Sequence, residues 1–448
     1  MKIIMQSEQQ YIDFFTAQKQ ELNKISSELI NSKRDEAFEA FQKKGFPVFN
    51  SEDYQQINIP ELMEPDYGFN FSGLKAEIDP YRMFKCNVPN LSSTIHFVIN
   101  DRLHKNNENH KLPEGVFAGS LNDFAKEFPE IFKKHYGKLA TSDKNGIEAF
   151  NTMFVQDGYA LYVPKNVVIE NPVQVTNVIR GSVDSLITRR MLIIIEEGAG
   201  AKMLVCDHTA DENPKFAVTQ VCEIFVDENA VFDFCELEES SANTIRLTSN
   251  FVSQKASSNV MVNNISLCNG TTRNNYNVYL EGENAMTHLY GLAITDKNQK
   301  VDNFTNIEHR VPNCQSKELF KYVLDEQSVG VFSGRIVVAK DAQKTQAYQN
   351  NRNLCCNRES RMYSKPQLEI YADDVKCSHG MTTGQLDENA LFYMRSRGIS
   401  ESEARLLLKF SFTNDVIEGI RLPNLKERLK MLVEKRFRGE LLKCQGCI

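Results

Sequence analysis

The sequence predicts a mainly β chain with helical ends, its short strands stacked as parallel coils of a solenoid. From about Gly146 onward, short apolar and β-branched runs follow one another, punctuated by Asn, Gly and Asp, with almost no helix-period segment between them. Many runs are apolar on both faces, as in Val221-Cys-Glu-Ile-Phe-Val226, which suits strands buried on both sides of a parallel sheet. With no helices to make βαβ crossovers, parallel strands over such a length must stack coil on coil around a shared core. A twisted antiparallel sandwich remains the alternative, because no crisp repeat is visible.

Residues 1–145 read as a helical and mixed region. A helix is predicted over 8–41, where Tyr11, Phe14, Phe15, Leu22, Ile25 and Leu29 recur at three- and four-residue spacing, and Gly45-Phe-Pro47 stops it. A short strand is expected over 93–100, a polar loop over 103–112, and a helix over 121–135 with Phe124, Phe128 and Phe132 four apart. The β core is predicted over 146–385. Its readable strands are 160–163, 173–179, 191–196, 202–207, 218–226, 231–236, 260–267, 275–281, 287–294, 330–338 and 367–371. The pairs Asn263-Asn264, Asn274-Asn275 and Asn350-Asn351 are expected at corners, where Asn tolerates left-handed backbone. Residues 386–448 return to helix: Asp387 caps one ended by Gly398, Ser400 with Glu403 forms a capping box, and Pro423 opens a third carrying Leu425, Leu429, Leu432 and Val433. Eight basic residues lie between Arg421 and Lys443, either as a solvated face or as a docking surface for an acidic partner.

Composition narrows the function. A mean hydropathy of −0.41 and the lack of a long apolar run argue against a membrane span. The first residues turn polar before an apolar signal region forms, so a cytoplasmic location is expected. Net charge of −7 disfavours non-specific nucleic-acid binding. Eleven irregularly spaced cysteines in 448 residues point to reduced thiols. No G-x-x-x-x-G-K-[ST] loop is present, and Gly198-Ala-Gly200 lacks the lysine and hydroxyl of a nucleotide site, so the chain is not expected to hydrolyse ATP itself.

The strongest chemical signal is Cys377 with His379, in the run Glu369-Ile-Tyr-Ala-Asp-Asp-Val-Lys-Cys-Ser-His-Gly380. Leu368, Ile370 and Ala372 alternate with Glu369, Tyr371 and Asp373 just before it. If this is a strand, residues two apart share a face, and a thiolate and an imidazole point into one space. That begins a zinc, iron or iron–sulfur site but does not close one, so a partner or another segment must supply ligands. The plainer reading is a half-buried strand whose Cys packs as a small hydrophobe. Weaker candidates are Cys444-Gln-Gly-Cys447, Cys206-Asp-His208 (expected at a surface strand end), and Cys314 close after His309.

The stretch from Val331 to Phe412 resembles the SufD family of the SUF iron–sulfur assembly machinery. The resemblance rests on Phe332-Ser-Gly-Arg-Ile336, Asp341-Ala-Gln-Lys-Thr345, Lys365 through Gly380, Gly384-Gln-Leu-Asp387 and Leu391 through Ile399. Upstream, Asp302-Asn303, Thr305, His309, Pro312, Ser316, Glu318-Leu319, Lys321 and Gly45-Phe-Pro47 also fit. The paralogue SufB has His-Glu-Ala near the place of Cys377-Ser-His379-Gly380, which favours SufD. The resemblance implies a right-handed parallel β-helix core, flanked by an N-terminal helical region and a C-terminal helical domain. It implies pairing with a SufB-like paralogue through the β-helices and binding of a SufC ATPase through the C-terminal region. It further implies that a transient Fe–S cluster forms at the SufB–SufD interface, with His379 the better ligand and Cys377 beside it. Three departures stand out: Phe304 where the family has His, Cys355-Cys356 in place of an apolar stretch, and Tyr54 where Trp is common. Two alternatives remain. One is a self-assembling SufB-like scaffold acting as a homodimer. The other is a β-helix carbohydrate-active enzyme using Asp373 with Asp374 or Glu196 with Glu197, although adjacent strand carboxylates point to opposite faces.

Overall fold

The structure is a computed structural model that describes residues 6–70, 94–104 and 112–440. Its centre is a parallel β-solenoid of about eight turns. The chain alternates between two sheets at successive corners, so neighbours in one sheet lie two strands apart in sequence. The first sheet stacks Tyr159–Val163, Ser185–Ile195, Phe216–Val226, Thr244–Gln254, Thr271–Leu280, Lys300–His309, Val329–Val338 and Arg361–Ile370. The second stacks Thr94–Ile99, Val173–Ile179, Gly200–Thr209, Val231–Glu239, Asn259–Cys268, Met286–Thr295, Gln315–Leu324, Gln346–Cys355 and Lys376–Gly384. These pairings are parallel and nearly in register, which rules out the antiparallel sandwich.

The register explains the core. Ile193, Ile224, Val252, Val278, Ile307 and Ile336 form one inward column, each on the rung above the last and each buried. Such in-register ladders of branched apolar side chains remove their surface from water turn by turn. Another part of the interior is polar. The paired asparagines expected at corners lie within strands instead. Thr248 Oγ1 donates to Asn274 Oδ1 at 2.7 Å, and Asn274 Nδ2 donates to Asn303 Oδ1 at 2.9 Å. A side-chain amide can both donate and accept, so asparagines stacked between turns satisfy one another. The left-handed corners are single residues, among them Asn229, Asn284 and Asn313 at φ 59°, 62° and 61°.

At its N-terminal end the solenoid is capped by two antiparallel strands and by helices. Phe117–Ser120 pairs antiparallel with Tyr159–Val163, and Arg102–His104 pairs antiparallel with Thr94–Ile99. The helix predicted over 8–41 is three: Gln6–Ile25, Glu28–Asn31 and Arg34–Lys44, with Ser27 capping the second. The break points Arg34 inward, where its guanidinium donates to the carbonyl of Val155 at 2.6 Å. The helix predicted over 121–135 divides at Pro129 into Leu121–Glu127 and Pro129–His135. The helix Gly146–Phe154 repeats Ile147, Phe150, Met153 and Phe154 at helical spacing, and its polar residues Glu148, Asn151 and Thr152 are buried as well. Gly146 is obligatory there: a Cβ would stand 1.7 Å from the Gly45 carbonyl oxygen.

Three C-terminal helices, Glu388–Ser396, Glu401–Glu418 and Pro423–Phe437, begin at the expected caps. Val416, Ile417, Leu425 and Leu429 pack with Leu204, Cys235, Tyr290 and Leu292 of the second sheet. The basic run is largely occupied within the molecule. Arg421 pairs with Asp233 at 3.1 Å, Arg436 with Asp296, and Lys426 and Lys430 with Glu418. Part of the acidic partner expected for these charges is therefore the solenoid itself. Among the described residues no helix is long and apolar enough to cross a membrane.

Candidate functional site

The run that carries Cys377 and His379 is two strands. Arg361–Ile370 closes the first sheet, the chain turns over 371–375, and Lys376–Gly384 closes the second. The alternation of Leu368, Ile370 and Ala372 thus belongs largely to the previous strand. Cys377 and His379 share a face because both lie in Lys376–Gly384, two residues apart, opposite Ala347 and Gln349 of the preceding turn. That face is the interior one. Cys377 is half-buried against the core cluster that includes Ala347 and Ala372. Burial pushes its thiol pKa up, so a metal bound there displaces a proton. His379, one position farther along the face, is exposed.

The exposure has a simple cause. Among the described residues, Arg361–Ile370 and Lys376–Gly384 each have a strand neighbour on one side only. This end of the solenoid therefore presents two unpaired backbone edges and the last rung of the interior columns. Ile370, Tyr371 and Met381 are 40%, 62% and 46% exposed there. The donor pair sits on that rung. No group of three His, Cys, Asp or Glu that could hold a metal forms among the described residues, so the pair does not make up a metal site by itself.

The other candidates have separate roles. Cys206-Asp-His208 is buried rather than at the surface. Asp207 is gripped by Arg189 at 2.6 Å and Arg246 at 2.9 Å, and burial lowers the His208 pKa to about 4, so at physiological pH a neutral imidazole packs beside a buried ion-pair network. His309 Nε2 lies 2.8 Å from Ser316 Oγ, while Cys314 Sγ donates to the Gly282 carbonyl at 3.3 Å. Cys355, the last residue of Gln346–Cys355, packs on the interior core, and Cys356, just past the strand, on the cluster under the C-terminal helices. Cys444 and Cys447 lie outside the described residues. Asp373 and Asp374 are exposed side by side in the 371–375 turn. The Arg273 guanidinium lies 4.6 Å from the Tyr54 ring centre and 5.2 Å from that of Phe304, so both departures from the SufD pattern pack one buried cation.

Sequence reading missed the polar pair beneath His379. Gln349 and Glu318 occupy the two preceding rungs of its column, and Gln349 Nε2 donates to Glu318 Oε2 at 2.7 Å. Steps of about thirty residues separate Glu318, Gln349 and His379, the length of one turn; only a repeat visible in the sequence would have aligned them.

Comparison with known proteins fits this architecture. Residues 177–412 match the family model described as "SUF system FeS cluster assembly, SufBD core domain", and residues 5–175 match "SufBD protein N-terminal region". An iron–sulfur cluster assembly SufBD family protein of Synechocystis is 27% identical over 418 residues, 91% of each chain. The iron–sulfur cluster assembly protein SufD of Escherichia coli is 38% identical over 167 residues, 37% of this chain and 40% of that protein. SufD of Bacillus subtilis is 25% identical over 331 residues, 72% of this chain and 75% of that protein. With both family models accounting for nearly all of the solenoid and the region before it, this chain belongs to the SufBD family of the SUF iron–sulfur cluster assembly system.

Proposed function

We propose that the chain is a SufD-type, non-catalytic scaffold subunit that pairs through its open solenoid end with a SufB-like paralogue. His379 and Cys377 offer nitrogen and sulfur donors to a nascent Fe–S cluster, which is cargo rather than a resident cofactor. The paralogue completes the coordination sphere. Residues 1–145 then form the N-terminal helical region, 146–385 the β-helix core, and 386–448 a helical domain that binds a SufC-like ATPase, the source of the energy this chain does not harvest.

The observation that carries the proposal is the placement of a thiol and an imidazole on the outermost rung of an end where both sheets have unpaired edges. Unpaired strand edges are templates for another chain's backbone, and a soft thiolate beside an imidazole suits iron. The exposed Phe392 and Tyr393 of the Glu388–Ser396 helix, 74% and 59% exposed, support a docking role for the C-terminal helices. Anaerobic reconstitution of the three-protein complex tests the ligand assignment. His379→Ala is expected to leave folding and assembly intact and to lower cluster yield about tenfold or more. Unchanged iron and sulfide content would refute it. A cluster held by a pure homodimer of this chain would favour the self-assembling alternative.

A further inference from the structure

One inward column of the second sheet runs Leu289, Glu318, Gln349, His379 from turn to turn. Glu318 and Gln349 are fully buried, and the Gln349 amide nitrogen donates to Glu318 Oε2 at 2.7 Å. An ionised carboxylate only accepts hydrogen bonds, so the amide must turn its NH2 group toward Glu318. Its oxygen is what remains, and that buried Oε1 has no hydrogen-bond partner. Gly334 of the facing sheet makes room for the amide: a Cβ there would stand 2.4 Å from Gln349 Nε2. An acceptor so placed is desolvated and unanswered, which costs free energy until a donor reaches it. The next rung of the column, ~4.8 Å away, is His379.

We propose that Gln349 is the positioning residue for His379: a turn of the exposed ring brings the N–H of one ring nitrogen to the carboxamide oxygen that is unpartnered in this structure, and leaves the other, bare nitrogen facing out of the open end. A neutral imidazole has one N–H and one lone pair, and the partner of the N–H decides which nitrogen is left for a metal. Glu318 acts through Gln349 by fixing which way round the amide lies. The orientation is the one seen in the Gln349 Nε2 to Glu318 Oε2 bond, and because burial raises the Glu318 pKa to about 7, the test is run above that value, at pH 8. This deepens the assignment of His379 as a donor and rests on it, yet its test needs no cluster.

The test is histidine-selective 15N NMR of the full, metal-free chain at pH 8, with the His379 signals identified by their loss in His379→Gln. The expected wild-type result is a single tautomer, with one nitrogen at the protonated shift and the other at the bare shift. In Gln349→Met, similar in length but without an acceptor, His379 is expected to relax to the averaged pattern of a free imidazole while the other histidines keep their shifts. An averaged pattern in the wild type, or a single tautomer that survives Gln349→Met, would overturn the proposal. Should Gln349→Met disturb the other histidines as well, Glu318→Gln decides: it frees the amide to lie either way, so averaging is expected and an unchanged tautomer counts against the relay. The two assignments fail separately. Loss of the ligand role shows as unchanged cluster yield in His379→Ala, whereas loss of this hydrogen bond shows in the wild-type tautomer alone.

Discussion

Cys377 and His379 share a face, yet the end of the solenoid treats them differently. The thiol is tucked against Ala347 and Ala372 and the imidazole is open to water, so one donor is held and the other is presented. Their two-residue spacing was legible because strand side chains alternate. The strand they occupy was not, since the turn at 371–375 interrupts an alternation that looks continuous on paper. Glu318 was invisible as a member of this set, and it gives the sharpest residue-level expectation. Burial raises its pKa from the ordinary 4.5 to about 7, so between those values the folded chain holds a proton the unfolded chain has released. Stability is therefore greatest below pH 4.5 as far as this group is concerned, and its contribution is lost as pH rises through 7. Relative to wild type, Glu318→Gln should be neutral near pH 4.5 and more stable at pH 8, by about 3 kcal/mol. Urea midpoints measured across that range check this, and parallel curves for the two proteins would contradict it.

At the scale of the element, the strands that escaped sequence reading are instructive. Thr244–Gln254, Lys300–His309, Gln315–Leu324 and Gln346–Cys355 are all buried to a large degree but rich in Asn, Thr, Gln, Glu and Lys. A polar inward column pairs with the turns above and below, so a strand that reads as surface loop sits in the interior. The proposed pairing falls on the two edge strands. Ile370 and Met381 lie on them, half open to solvent, and neither supports the core as Ile336 does. The double variant Ile370→Lys with Met381→Lys should leave stability within about 0.5 kcal/mol. It should weaken pairing with the paralogue by about 2 kcal/mol or more, because lysine on an edge strand discourages strand addition and a central apolar contact is lost. Size-exclusion and affinity measurements on the mixed subunits check both. Undiminished pairing would move the interface elsewhere.

Over the whole molecule the solenoid is asymmetric. Antiparallel strands and buried helices cap its first turns, the helices Glu401–Glu418 and Pro423–Phe437 cover the outer face of the second sheet, and the last two strands are left open. Each turn contacts chiefly its neighbours, so stability is not shared evenly along the stack. Hydrogen exchange should be slowest in the central strands such as Phe216–Val226 and Thr271–Leu280, and fastest in Arg361–Ile370 and Lys376–Gly384. Addition of the paralogue should slow those last two strands selectively. Uniform protection along the solenoid before addition, or no change after it, would contradict an open end that is completed by a partner.

The amino-acid sequence by itself determined the β core with helical ends, the C-terminal caps and the two-residue spacing that puts Cys377 and His379 on one face. Each of these follows from local periodicity, capping chemistry or side-chain type. Tertiary structure alone decided that the asparagine pairs lie inside strands, that the C-terminal cations are partly consumed by the solenoid's own carboxylates, and that Glu318 and Gln349 stand beneath His379. Those relations join residues one turn or more apart. The register that aligns them exists only once the turns have stacked.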